Sequence, residues 1–320
     1  LDSIEGRDDV TAPQQLIDNV RQVIRGKDSE IGLAAVCLVA GGHLLIEDLP
    51  GLGKTMLARS LAQSISGEFR RVQFTPDLLP SDVTGVTVYR QSSEQFAFHP
   101  GPVFANIVLA DEINRASPKT QAALLEVMEE GRVTVDGVSH PVPSPFMVIA
   151  TQNPIELEGT HRLPEAQLDR FLMRISMGYP DHASEVDVLR HHGGQPSLSA
   201  LQPVFDGPGV LHLAASAERI HTADVIYEYI VAICEATRRM EQLRFGVSPR
   251  GGLALAKSAR ALALLKGKEY VTPDEVRQLA GPVLSHRVVL TPEAELHGQT
   301  GASAVEAALA SVPAPKSSQA

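Results

Sequence analysis

The 320-residue chain contains no Trp, and its nine Phe and five Tyr make up only 4% of the sequence. Recognition of nucleic-acid bases by aromatic stacking therefore has little to work with. A cationic excess is missing too: 28 Lys and Arg face 38 Asp and Glu, a formal charge of −10. That balance argues against tight non-specific DNA binding, although a local basic patch is compatible with it. Only two cysteines occur, Cys37 and Cys234, each inside an apolar run. A disulfide framework is not expected, and a reducing cytoplasm fits. No apolar run approaches the ~18 residues of a membrane span; the longest, 31–46, is broken by Gly41, Gly42 and His43. No charged–apolar–small cleavage pattern opens the chain, so secretion is not expected. The first residue is Leu1 rather than Met, which fits a trimmed terminus. The 11 His include no H-x3-H pair on a helix and no Cys partner, so a zinc site is not expected.

What the chain does have is 43% hydrophobic and 21% charged residues, the composition of a globular protein with a full core. Its length suggests roughly two domains. Short apolar runs at 43–47, 71–75, 107–110, 146–151 and 172–176 read as strands. Several are almost continuously apolar, as in a parallel sheet buried on both faces. Helical patterns at 54–65 and 118–130 lie between them, and the alternation reads as α/β. After the turn-rich Gly178-Tyr179-Pro180, helical patterns at 222–240, 249–266 and 272–289 follow one another with few strand signals. We read a core domain over 1–180, an all-α domain over 181–311 containing a Gly/Pro/Ser-rich loop at 193–209, and a disordered tail over 312–320. Two hairpins are expected in the core, at 86–98 and at 132–140. The second turns at Asp136-Gly137, a type I′ signal. Ile226, Ile230 and Ile233 recur at helical spacing and are expected to face the core. Arg70-Arg71 and Arg238-Arg239 read as solvated faces.

The chemistry concentrates in a few segments. Glu47-Asp-Leu-Pro-Gly-Leu-Gly-Lys-Thr55 follows a strand and opens a helix. It matches the phosphate-binding pattern G-x-x-x-x-G-K-[ST] except that Asp48 takes the first Gly position. Backbone N–H groups from Gly51 to Lys54 can form an anion nest at a helix N-terminus. Lys54 offers a cation to the terminal phosphates and Thr55 a hydroxyl to Mg²⁺. Asp48 is expected to alter entry to the loop rather than the cradle. The residues expected to touch ATP here are Pro50, Gly51, Leu52, Gly53, Lys54, Thr55 and Met56. An apolar strand ends in Asp111-Glu112, at the strand edge where open α/β sheets bind ligands. Downstream of a phosphate loop, Asp111 suits a Mg²⁺ shell and Glu112 a general base. Asn153 follows another buried strand; it could orient a lytic water, or simply form a turn with Pro154. Taken alone, Arg170 reads as a solvated arginine at a helix end and Arg250 as part of an ordinary Pro-Arg helix start.

Taken together and in this order, the segments PGLGKT (50–55), FTPDLLPSDVTG (74–85), LADEINRASPKTQAALLEVMEE (109–130), ATQNPIELEGTHRLPEAQLDRF (150–171) and GVSPRG (246–251) resemble the MoxR family of AAA+ ATPases. The resemblance runs from about residue 22 to 290. It implies an αβα core with a parallel five-stranded sheet of order 5-1-4-3-2 and a C-terminal helical lid. It makes Asn153 sensor 1, Arg170 an arginine finger supplied to a neighbouring subunit, and Arg250 sensor 2, in cis or in trans. It places Gly26 near the adenine and makes the 86–98 hairpin a helix-2 insert and the 132–140 hairpin a pre-sensor-1 hairpin. The implied function is Mg²⁺-dependent ATP hydrolysis by a hexameric ring that remodels or matures client protein complexes, often by inserting metal cofactors. Proteins with von Willebrand factor A domains are the implied partners. The alternatives are a DNA-translocating motor, a chelatase motor subunit and a low-turnover nucleotide switch.

Overall fold

The computed structural model describes residues 12–49, 51–92, 94–153, 161, 163–190, 198 and 201–315. Helices α1 (Ala12–Arg21) and α2 (Asp28–Val39) precede strand β1 (Leu44–Glu47) and helix α3 (Lys54–Ser64). Strand β2 (Phe69–Gln73), the short α4 (Pro80–Thr84) and the antiparallel pair β3 (Gly85–Arg90) and β4 (Gln95–Pro100) follow. Strand β5 (Ile107–Asp111) leads to α5 (Pro118–Glu130), the second hairpin β6 (Arg132–Val135) and β7 (Val138–Pro141), and strand β8 (Met147–Gln152). After α6 (Glu165–Leu168), strand β9 (Met173–Ile175) completes the sheet.

The five sheet strands run β2-β5-β8-β1-β9, and every pairing is parallel. Counting only these strands in chain order, that is 5-1-4-3-2 read from the other edge, as expected. The three central strands are buried on both faces. Leu44, Ile46, Ile107, Leu109, Met147 and Ile149 point into one apolar cluster, and their alternate neighbours Leu45, Val108, Ala110, Val148 and Ala150 into another. This is the period of two that a strand imposes, with helices covering each face. The first cluster contains α1, α2 and α3 and continues without a break into the C-terminal helices. The second holds α5 and Val133 of the second hairpin.

One strand boundary read from the sequence is corrected. The edge strand β2 is Phe69–Gln73, not 71–75, because it pairs with β5 from Phe69↔Ile107 to Gln73↔Asp111. Only Val72 within it is buried, while Phe74, just past its end, is fully buried and drew the apolar signal downstream. Both hairpins form where expected. At the base of the first, a Cβ on Gly101 would lie 2.4 Å from the Val83 carbonyl, so the crossing of the two chains requires glycine.

The C-terminal part comprises α7 (His182–Arg190), α8 (Gly207–Glu218), α9 (Asp224–Arg238), strand β10 (Leu243–Phe245), α10 (Pro249–Leu265), α11 (Pro273–Leu284), strand β11 (Val289–Leu290), α12 (Pro292–Leu296) and α13 (Gly301–Ser311). Ile226, Ile230 and Ile233 are buried, as expected. The domain is not purely helical: β10 and β11 pair antiparallel. The helix expected over 272–289 therefore stops at Leu284, and His286 and Arg287 turn toward the core. At its start Thr272 and Glu275 form a capping box, and the buried Glu275 also receives Lys266 and Lys268. Val312, expected to open the tail, packs on the core instead; residues 316–320 and, within the 193–209 loop, 193–197, 199 and 200 lie outside the described residues, while Gly207–Gly209 open α8. Among the described residues, no helix is long and apolar enough to cross a membrane.

Candidate nucleotide site

The loop after β1 and the ends of β2, β5 and β8 enclose a cleft of about 300 Å³. Gly51 and Gly53 adopt φ of 86° and 83°, a left-handed region that favours glycine. Their backbone turns the chain into α3, whose first residue is Lys54, so free N–H groups and the positive helix end face one point. Leu52, Lys54, Thr55 and Met56 also line the cleft; Pro50 lies outside the described residues. Lys54 Nζ donates to the Asp48 carbonyl at 2.9 Å. Partial burial lowers the Lys54 pKa, and the nearby Asp111, Asp48 and Glu112 work against that shift.

Asp48, the departure from the phosphate-loop pattern, is buried and lines the cleft, with its carboxylate occupied by protein donors. Its carboxylate accepts from the N–H groups of Leu49 and Gly178 at 2.9 and 2.6 Å and from the Ser176 hydroxyl at 3.1 Å. Burial raises its pKa, but these hydrogen bonds outweigh burial and hold it below the ordinary value. Asp48 thus ties the loop entry to the segment leaving β9.

Asp111 and Glu112 stand at the end of β5, across the cleft from Lys54. The Thr151 hydroxyl donates to Asp111 Oδ1 at 2.6 Å and accepts the Glu112 N–H at 2.8 Å. One side chain thereby orients both acids. Glu112 has φ 56°, a left-handed conformation uncommon for a non-glycine residue and typical of constrained functional positions. Its carboxylate accepts from Gln73 at 3.0 Å and Arg115 at 2.9 Å. Arg71 is exposed, as expected, and also reaches Asp111 Oδ2 at 2.6 Å, which makes it part of the cleft rim. Asn153 lines the cleft beside Thr151. Thr55 and Asp111 are hard oxygen donors on one cleft, and Mg²⁺ commonly takes one or two such ligands with phosphate and water completing its octahedron. The donor set therefore fits Mg²⁺.

Arg170 and Arg250 are brought together, but elsewhere. They line a second cleft of about 310 Å³ that shares no described lining residue with the first. Glu129 links them, at 2.9 Å from Arg170 and 3.6 Å from Arg250, and Asp169 lies 3.5 Å from Arg250. Gly26 lines neither cleft; it has φ 67°, and a Cβ on it would lie 2.2 Å from Ser184 Oγ in α7. Arg238 is exposed, as expected, and its Nε donates to the Val247 carbonyl at 2.8 Å. Sequence reading missed Arg71, Gln73, Arg115 and Thr151. The available signal was the alternation around Val72, which sends Arg71 and Gln73 to one side of a strand that ends at the cleft.

Comparison with known proteins agrees with this geometry. Residues 43–173 match the ATPase family associated with various cellular activities (AAA), and 235–308 match an AAA lid domain. The chain is 48% identical to YeaC of Bacillus subtilis, covering 93% of both, and 42% identical to Chaperone MoxR1 of Mycobacterium tuberculosis, covering 88% of this chain and 76% of that protein. Protein MoxR of Paracoccus denitrificans is 32% identical over 92% of this chain and 93% of its own. A crystal structure of an ATPase candidate from Cytophaga hutchinsonii superposes with a TM-score of 0.89 at 36% identity, covering 96% of each chain. With a phosphate loop, a paired-acid strand end and a five-stranded parallel sheet in one arrangement, and relatives of this identity along most of its length, the chain belongs to the MoxR family of AAA+ ATPases.

Proposed function

We propose that the protein hydrolyses ATP in a Mg²⁺-dependent reaction at the interfaces of a hexameric ring, in the cytoplasm. Gly51–Thr55 cradle the phosphates, with Lys54 on the terminal ones. Bound Mg²⁺, held by Thr55 and Asp111, would neutralise charge on the transferring phosphoryl group. Glu112 accepts the proton of the attacking water, and its left-handed backbone and its Gln73 and Arg115 contacts hold it for that task. Asn153 orients the same water. Arg170, with Arg250, meets the neighbouring subunit's phosphates and stabilises the charge that develops there. Movement of the lid, 181–311, against the core, 1–180, remodels client protein complexes. Their maturation, including metal-cofactor insertion, is the product, and clients or adaptors with von Willebrand factor A domains are the partners. Gly26 borders the adenine, and the two hairpins reach the ring pore or the client.

The observation that carries this reading is the separation of the two clefts. A lone subunit holds the phosphate cradle, the acids and Asn153 together, and holds both arginines apart from them. The name of the mycobacterial relative, Chaperone MoxR1, supports the client role. The test mixes Arg170→Ala with Glu112→Gln subunits. Each is nearly inactive alone, and a mixed ring contains interfaces with an intact Glu112 facing an intact Arg170. Turnover is expected to recover partly and to rise with protein concentration. A fully active, concentration-independent monomer overturns the ring mechanism.

A further inference from the structure

Arg287, in the turn after α11, has a side chain only 3% exposed, and each of its N–H groups has an acceptor. Nε donates to Asp169 Oδ1 at 2.6 Å. Nη2 donates to the carbonyls of Asp169 and Phe171 at 3.2 and 2.7 Å. Nη1 donates to the Leu172 carbonyl at 3.1 Å and to the Val283 carbonyl in the last turn of α11. A guanidinium has five N–H donors in a rigid planar fork. Four contacts fall on the 169–172 segment and two, to Val283 and at 2.8 Å to His286 Nε2, stay in the lid, so the fork has no slack.

The segment it grips contains Arg170. Carbonyls on both sides of Arg170 are held by one lid side chain, while the Arg170 guanidinium is held at its far end by Glu129. Arg250 is tied into the same unit. Asp169 gives one oxygen to Arg287 and the other faces Arg250 at 3.5 Å. The first turn of α10 also packs on the Arg287 stem: a Cβ on Gly251 would lie 3.0 Å from Arg287 Cδ. Neighbouring His286 adds a contact to the Phe171 carbonyl at 3.1 Å.

We infer that Arg287 is a positioning residue for Arg170: it fastens the 169–172 segment to the lid, so that the lid's place in one subunit aims the arginine that this subunit presents to the next. The inference rests on the reading of Arg170 as a residue that acts at a neighbouring site. A merely structural staple would lower thermal stability and affect ATP binding and turnover alike. A positioning residue acts only on turnover, and only through Arg170.

The experiment uses the full chain carrying Arg287→Lys, which keeps the charge and loses the fork. Displacement of a catalytic group by about 1 Å can cost ~10²-fold in rate, so kcat is expected to fall by up to ~10²-fold while calorimetric ATP affinity stays at the parental value. The double variant Arg170→Ala/Arg287→Lys is expected to be no slower than Arg170→Ala. In mixed rings, Arg287→Lys is expected to recover activity with Glu112→Gln subunits and not with Arg170→Ala subunits. Asp169→Asn, which keeps the size and removes the carboxylate charge that the fork grips, is expected to repeat the pattern at smaller amplitude and decides the matter if Arg287→Lys does not fold. Equal losses in the Arg170→Ala background, a matching loss of ATP affinity, or parental kcat overturns the inference. An Arg170→Ala variant with parental turnover removes the finger reading itself, and the inference falls with it.

Discussion

The phosphate cleft and the arginine cleft are both lined by charged side chains, yet they are built in opposite ways. The first draws its cradle from consecutive residues, Gly51 to Thr55, and its two acids from neighbours, Asp111 and Glu112. The second assembles Glu129, Asp169, Arg170, Arg250 and Arg287 from the end of α5, the α6 turn, the start of α10 and the turn after α11. A cradle made of backbone N–H groups is local by nature, since successive amides and a helix end create it. A cluster of guanidinium groups needs carboxylates between its members, and these come from wherever the fold supplies them. The difference teaches that the parts of the phosphate cleft come from residues adjacent in sequence, while the arginine cleft depends on the whole tertiary structure.

The comparison breaks most visibly at Arg170. An arginine finger is worth about 10³–10⁵ in rate, so Arg170→Ala is expected to lose that much turnover with little change in ATP affinity. Lost ATP binding would place Arg170 in the cis cleft instead. Lys54→Ala tests the other side: calorimetry should detect no ATP binding while the melting temperature stays close to parental, because a half-buried cleft cation rather than core packing is removed. Glu112→Gln is expected to keep ATP and Mg²⁺ and to lose at least ~10²-fold in turnover, the low end for a general base. Parental hydrolysis by that variant would assign the base elsewhere.

A smaller effect sharpens the contrast through pH. His43 lines the arginine cleft and is buried; Val148 N–H donates to its Nδ1 at 3.0 Å, so Nε2 carries the proton and donates to the Met128 carbonyl at 3.0 Å. Burial lowers its pKa from 6.5 to about 4, the Met128 contact opposes that shift and Lys257 adds to it. A depressed folded pKa means that the unfolded chain takes up the proton first. The stability contribution is therefore complete above pH 6.5 and is lost as pH falls toward 4, by about 3 kcal/mol at most. Denaturant midpoints between pH 7 and 4 should follow that slope, and His43→Gln should flatten it. An unchanged slope would show that the imidazole is not held neutral. The smallest effect is expected at the first hairpin. Shortening the turn between Arg90 and Gln95 should leave basal ATPase activity unchanged and impair client remodelling, and loss of ATP binding would assign the hairpin to the core.

Much of this arrangement was legible because it is local. The phosphate loop, the acids that end β5 and the buried strands follow from neighbouring residues, and strand order came from resemblance. Arg71 was not legible: it reads as solvated until β2 is set beside β5, when Gln73 falls opposite Asp111 and Arg71 reaches the same carboxylate. Thr151 looked like one more strand residue, although its hydroxyl orients both acids. An edge strand with one buried side chain gives a faint periodic signal, so its register was read two residues late.

By itself the amino-acid sequence determined the chemistry available: a phosphate nest, a Mg²⁺-type donor pair, a candidate base, and arginines of unassigned destination. It did so because helix starts, strand ends and turns are set by contacts within a few residues. Only the tertiary structure decided which carboxylate meets which guanidinium. That choice separates Arg170 and Arg250 from the phosphate cleft and places Arg287 around the segment carrying Arg170. Such pairings join residues more than a hundred positions apart, as in Arg287 with Asp169, and their distance is set by strand order and helix packing rather than by spacing along the chain.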